Sequence, residues 1–241
     1  MLLLPQFLLH TFQPQTAMDK ILTGVERFRR HEYPKNRELF AHLAHKQQKP
    51  IALFITCADS RVHPNLITMT DPGDLFLIRN AGNIIPPHGS PIGGEAATVE
   101  YSIEVLGIRN VILCGHSQCG AMKAMLEDPH LNDLPAAKAW FHHAEATKRI
   151  VRAKYSDLSP EERLVAATEE NVLVQMNNLS THPSVAVHLS AGELRIYGWY
   201  YDIGSGRVLQ FDQKHGQFLD LGSEAFAAAP LPIRSTRPVP A

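Results

Sequence analysis

Apolar positions along the chain follow two different periods. From 18 to about 31, Ile21, Leu22, Val25 and Phe28 recur at helical spacing and predict an amphipathic helix. Pro34 opens a second helix with Leu39, Phe40, Leu43 and Ala44 on its apolar face, and Gln47, Gln48 and Pro50 close it. The pattern then shifts to short unbroken apolar runs at 51–56, 75–79 and 110–115, which predict buried strands. Between them lie a short helix at 64–68, a turn at Asp71-Pro72-Gly73-Asp74, and a helix at 95–106 closed by Gly107. The order strand, helix, strand argues for a parallel sheet with right-handed crossovers. The Gly- and Pro-rich loop at 80–94 is too long for a mere connector and is expected to line a site.

The second half predicts helices at 120–127 and 135–153, then a longer one to about 179 that starts at Ser159-Pro160-Glu161-Glu162. Leu164, Thr168, Val172 and Met176 form its buried stripe. A short helix at 183–189 precedes a strand at 194–201 and its hairpin partner at 207–211. No internal repeat and no second core are visible. The reading is one α/β domain over 18–220, with Met18 well placed to begin it, a weakly ordered extension at 1–17, and an Ala- and Pro-rich tail at 221–241.

A net charge of −1 gives no basis for nucleic acid or an anionic membrane as partner. No run approaches the roughly 20 apolar residues of a membrane span. The apolar start has no preceding Lys or Arg and no clear cleavage site, so a signal peptide is not expected. Three cysteines do not make a disulfide framework and favour metal ligation in a reducing, cytoplasmic setting.

Two stretches carry the chemistry. Cys57-Ala58-Asp59-Ser60-Arg61 follows the first strand, and His116-Ser117-Gln118-Cys119-Gly120 follows the third. In an open parallel sheet, that end of the strands is where ligands bind. Cys57, His116 and Cys119 offer two thiolates and an imidazole, a set suited to zinc, and three protein ligands leave a fourth position open, as in catalytic rather than structural sites. Asp59 either hydrogen-bonds a water in that position or occupies it, and Arg61 pairs with Asp59. Cys114 reads as a core residue and His63 as a surface histidine rather than a proton shuttle. His142 and His143 point in different directions on a helix and form no site.

Taken together, Cys57-Ala58-Asp59-Ser60-Arg61-Val62, Arg79-Asn80-Ala81-Gly82-Asn83, Glu100-Tyr101 and Gly115-His116-Ser117-Gln118-Cys119-Gly120 resemble the β-class carbonic anhydrases over about 19–215. The likeness is nearest to their plant-like, cyanobacterial and cyanate-operon branch. The resemblance implies a mostly parallel sheet flanked by helices, with the N-terminal helices packing on a partner subunit in a homodimer or an assembly of dimers. It implies one Zn2+ per chain on Cys57, His116 and Cys119, with Asp59 as a further ligand only in a closed form. Hydroxide on the zinc attacks CO2 to give bicarbonate, with Asp59 and Arg61 as the catalytic pair. Gln48, Phe76, Ala81, Tyr101 and Gly120 become substrate-binding residues, with Gln48, Phe76 and Tyr101 reaching the pocket of the neighbouring subunit. The Gly120 N–H is expected to stabilise thiolate charge. Phe54 stands where the bicarbonate-inhibited branch has Trp. A cytoplasmic location is expected, with a carboxysome or chloroplast-like compartment as the alternative. Two other readings stay open: a zinc hydrolase acting on a CO2 analogue such as carbon disulfide, and a zinc-stabilised scaffold protein, against which Asp59 and Arg61 argue.

Overall fold

The computed structural model describes residues 16–222 apart from 92 and 128, so most of the expected extension and tail lie outside the described residues. The chain divides into two compact units at Gln48 and Lys49.

In the N-terminal unit, helix α1 (Ala17–Arg27) continues through a π-helical turn (Phe28–Glu32) into the single turn α2 (Tyr33–Lys35) and then α3 (Arg37–His45). It starts one residue before the expected Met18 because Thr16 and Asp19 close a capping box, Asp19 N donating to Thr16 Oγ1 at 3.2 Å and Thr16 N to Asp19 Oδ2 at 2.7 Å. Tyr33 stacks on Phe40 and Phe28 meets both rings edge-on. The predicted apolar face stays open: Ile21, Leu22, Val25 and Phe28 are 43–58% exposed.

The second unit is built on a six-stranded sheet: β1 (Ala52–Cys57), β2 (Leu75–Asn80), β3 (Asn110–His116), β4 (Arg195–Tyr201), β5 (Val208–Asp212) and β6 (Gln217–Asp220). The order is β2-β1-β3-β4-β5-β6. The pairs among β1, β2, β3 and β4 are parallel, and β5 and β6 join antiparallel. The expected hairpin of β4 and β5 is present. β6 had no sequence signal, since its four residues carry only Phe218 and Leu219 as apolar positions. β1 is buried along its whole length, which explains its unbroken apolar run.

Helices α4 (Pro64–Thr68), α5 (Gly94–Glu100), α6 (Gly120–Glu127), α7 (Pro135–Phe141), α8 (Glu145–Lys154), α9 (Pro160–Ser180) and α10 (Pro183–Ser190) cover the sheet. A π-helical turn extends α5 to Val105 before Gly107. The single helix expected at 135–153 is broken by a 3-10 turn (His142–Ala144). Three residues per turn put Phe141 and Ala144 on the same side, and both are buried beside Met122 and Met125.

Helix α9 is the main support of the sheet. Its capping box on Ser159 and Glu162 is formed, and Val172 and Met176 join the core of Leu53, Ile55, Val111 and Leu113. Two strand glycines allow this approach: a Cβ on Gly115 would lie 2.8 Å from Thr168 Cγ2, and one on Gly198 would lie 2.6 Å from Met176 Sδ. A second, polar row on α9 holds the long loop after β2. Asn171 Nδ2 donates to Gly82 O at 2.9 Å, Ile85 N to Gln175 Oε1 at 2.9 Å, and Asn178 Nδ2 to Ile85 O at 3.0 Å.

Candidate metal centre

Adjacent parallel strands deliver the donors. β1 ends at Cys57 and β3 ends at His116, with Thr56 in register with Cys114. Cys119 follows on the turn into α6. The ligand atoms of Cys57, His116 and Cys119 lie within 4.8 Å of one another, and all three residues are buried. His116 Nδ1 contacts Ser117 O at 2.9 Å, while its Nε2 is buried without a hydrogen-bond partner. A carbonyl at Nδ1 calls for the proton there and leaves the Nε2 lone pair facing the sulfurs. An orphaned imidazole nitrogen beside two thiols fits a tetrahedral cation such as zinc and has no other use in the fold.

The sulfurs are prepared by backbone amides. Gly82 N lies 3.4 Å from Cys57 Sγ. The Cys119 thiol beside it, then His116 and the amides of Gly82 and Asp59, hold the Cys57 thiol well below the usual thiol range despite burial. Cys119 is pushed up in turn by its hydrogen bond to the Cys57 sulfur and by burial. The hydrogen bond between the two sulfurs thus acidifies one thiol at the expense of the other. The amides of Ala121 and Met122 act on Cys119 and lower its pKa against these effects. Cys119 directly precedes α6, and a residue in the N-cap position accepts from the second and third helical amides, which lie past Gly120. Cys114 is fully buried and pushed up to about 12 by that burial, which suits the core role read from the sequence.

Asp59 sits beside the donors, its Oδ2 3.9 Å from His116 Nε2. Arg61 grips it with a two-pronged bond, Nε to Oδ1 at 2.9 Å and Nη2 to Oδ2 at 2.7 Å. That bond holds the Asp59 carboxyl well below the usual carboxylate range. Arg61 Nη2 also donates to Gln118 O at 3.1 Å, so one guanidinium ties both ligand-bearing loops together. Gln118 has φ 55, a left-handed turn that presents its carbonyl to Arg61. Arg79, quoted only as part of a motif in the sequence reading, donates to Cys57 O at 3.1 Å and Asp59 O at 2.7 Å.

The remaining expected site residues fall in different places. Ala81 precedes Gly82 next to Cys57, and its carbonyl accepts from Trp140 Nε1 at 2.8 Å. Phe76 stacks on Tyr101 with centroids 6.2 Å apart. Phe76 is in register with Leu53, four residues before Cys57, so it stands roughly 13 Å back along the strand from this chain's own donors. Gln48 belongs to the N-terminal unit and is exposed. His63 is a surface residue that caps α4 through Leu66 N. The sequence reading missed Trp140 and Asn171 altogether. The one signal for Asn171 was the spacing of three carboxamides at 171, 175 and 178.

A parallel sheet whose neighbouring strand ends offer Cys, His and Cys to a cation, with an Asp-Arg pair on the open side, defines an α/β protein with a three-donor metal-capable centre. A carbonic anhydrase family profile matches residues 52–208. A carbonic anhydrase of Synechococcus elongatus is 48% identical over 81% of this chain and 72% of that protein. One from Pseudomonas aeruginosa is 47% identical over 85% of this chain and 92% of that protein. The solved β-carbonic anhydrase CcaA superposes with a TM-score of 0.82 at 45% identity, covering 86% of this chain and 93% of that one. The chain belongs to the β-carbonic anhydrase family and is an enzyme of that kind, whose general reaction is the hydration of CO2. Among the described residues no helix is long and apolar enough to cross a membrane.

Proposed function

We propose that this chain catalyses the reversible hydration of CO2 to bicarbonate and a proton, with one Zn2+ per chain on Cys57, His116 and Cys119. The observation that carries the reading is the two-pronged grip of Arg61 on Asp59 beside the orphaned Nε2 of His116. A zinc ion held by these residues supplies a Lewis acid that brings the pKa of water toward ~7. Asp59 then accepts the hydrogen of the attacking oxygen and aims its lone pair at the CO2 carbon. Asp59 does not keep the proton, because Arg61 holds its carboxyl too acidic for that; the proton leaves to buffer. Arg61 also restrains Asp59 from the metal. Released by Arg61, Asp59 would be free to serve as a further ligand beside His116, which would close the site.

Ala81 and Gly120 flank the donors and form the near wall of the CO2 pocket. Phe76, Tyr101 and Gln48 complete the pocket of a neighbouring copy, which is why the Phe76–Tyr101 pair stands back from its own ligands. The open apolar face of α1 supports a homodimer or an assembly of dimers, and relatives from Sordaria macrospora, 26% identical with a TM-score of 0.72, are tetrameric. Ligation through two reduced thiols suits a cytoplasmic setting.

The test is stopped-flow CO2 hydration from pH 6 to 9 on metal-analysed protein. Fast turnover with about one zinc per chain, suppressed at low pH, is expected. Full zinc with no hydration at any pH would overturn the reading.

A further inference from the structure

The residue that touches Cys57 from the long loop is Gly82, and it is held from both sides. Its N–H lies 3.4 Å from Cys57 Sγ. Its backbone sits at φ +84, and a Cβ there would lie 2.9 Å from Met122 Cε, so only glycine brings this amide to the sulfur. The carbonyl of the same peptide unit belongs to Ala81 and accepts from Trp140 Nε1 at 2.8 Å. The carbonyl of the next unit, that of Gly82, accepts from Asn171 Nδ2 at 2.9 Å. Asn171 is fully buried and is fixed from behind, its Oδ1 accepting from Gln175 Nε2 at 3.1 Å and from Thr147 Oγ1 at 3.3 Å.

We propose that Trp140 and Asn171 are positioning residues for the metal centre, acting through the Gly82 amide on the Cys57 sulfur; this rests on the zinc reading above. Trp140 pulls on the oxygen of the peptide whose N–H points at the sulfur, which polarises that N–H. Asn171 sets the plane of the following peptide, so the loop cannot rotate the amide away. A thiolate that receives this bond is a better-oriented and less diffuse donor to a cation, as outer-shell partners generally arrange. Each hydrogen-bonds the loop backbone rather than a ligand atom, and each comes from a different helix, α7 and α9.

The test uses zinc affinity, by competition with a chromophoric chelator, and the sulfur-to-metal charge-transfer band of the cobalt-substituted protein. Wild type, Trp140→Phe, Asn171→Ala and Trp199→Phe are compared in full-length protein. Trp140→Phe keeps the ring and removes only the N–H. Trp199→Phe is the matched control, since it loses an equivalent indole bond, 2.8 Å to Gln210 Oε1, away from the donors. Trp140→Phe and Asn171→Ala are expected to weaken zinc binding about 10- to 100-fold and to shift the cobalt band, while Trp199→Phe does neither. A merely structural role would lower the melting temperature and leave both readouts in place, and that result overturns the proposal. If Asn171→Ala does not fold, Trp140→Phe decides alone: affinity within twofold of wild type and an unmoved band reject the idea. Wild-type protein that takes up no zinc rejects the metal reading itself and the proposal with it.

Discussion

Arg61 holds both carboxylate oxygens of Asp59 and, with the same Nη2, the carbonyl of Gln118 on the other ligand loop. Asp59→Asn keeps the shape and loses the charged acceptor. Its kcat/KM for CO2 hydration is expected to fall by about two to three orders of magnitude with zinc content unchanged. A fall of less than tenfold would remove Asp59 from the mechanism.

Arg61→Lys replaces a fork by a point charge and loosens the hold on Asp59. Asp59 has a depressed pKa, so its pairing adds stability above the ordinary carboxylate pKa and that stability is lost only as pH falls through the lower folded value. Between pH 6 and 9 Asp59 is therefore ionised throughout, and closure depends on release by Arg61 rather than on protonation. Hydroxide competes with the freed carboxylate for the metal and becomes abundant only as pH rises past ~7, so the variant is expected to lose most activity near pH 6 and to recover toward pH 9. An equal loss across that range counts against the swing.

The hydrogen bond between Cys57 and Cys119 acidifies the first thiol and pushes the second up. Zinc binding near pH 7 is accordingly expected to release about one proton per site. Calorimetric titration in buffers of different ionisation enthalpy measures this number directly. Release of none would mean that the two sulfurs do not both become ligands.

Glu169 on α9 lines a cavity of about 240 Å3 with Tyr155, Phe211 and Phe218. Burial, and then Glu170, push its carboxyl up to about 7. The folded state thus binds the proton more tightly than the unfolded one, and stability falls as pH rises from the ordinary value toward 7. Glu169→Gln is expected to be more stable than wild type at pH 8 and to lose that advantage near pH 4. Thermal melts across pH give the comparison; a constant offset would contradict the assignment.

Gly198→Ala places a methyl 2.6 Å from Met176 Sδ and 3.0 Å from Val172 Cγ1. A cost of about 1–3 kcal/mol is expected, read as a lowered melting temperature. Trimming Met176 to Val in the same chain should recover part of it, giving a coupled rather than additive pair. Simple addition of the two losses would place the strain elsewhere.

Cys57 and His116 were legible in the sequence because each stands where an unbroken apolar run stops, and Cys119 because it follows three residues on, where a thiol has few structural uses. β1, β3 and the capping box of α9 were legible for the same reason: local pattern and local structure agree. What could not be read were bonds to backbone. Asn171, Gln175 and Asn178 look like the polar face of a helix, and their partners Gly82 and Ile85 show nothing in the sequence that marks an N–H or a carbonyl as waiting. Trp140 is hidden likewise, since its partner is the carbonyl of Ala81. The break at His142 follows from what Phe141 and Ala144 pack against, which no local pattern states.

Cys57 and His116 arrive on strands that are neighbours in space but separated in the chain by the whole of β2 and α5. The ion-binding geometry therefore exists only after that distant pairing has closed, and closing it is a slow, entropically costly event in folding. On the zinc reading, an ion would meet strands already paired rather than nucleate the chain as in a small finger domain, so metal capture is expected to follow collapse.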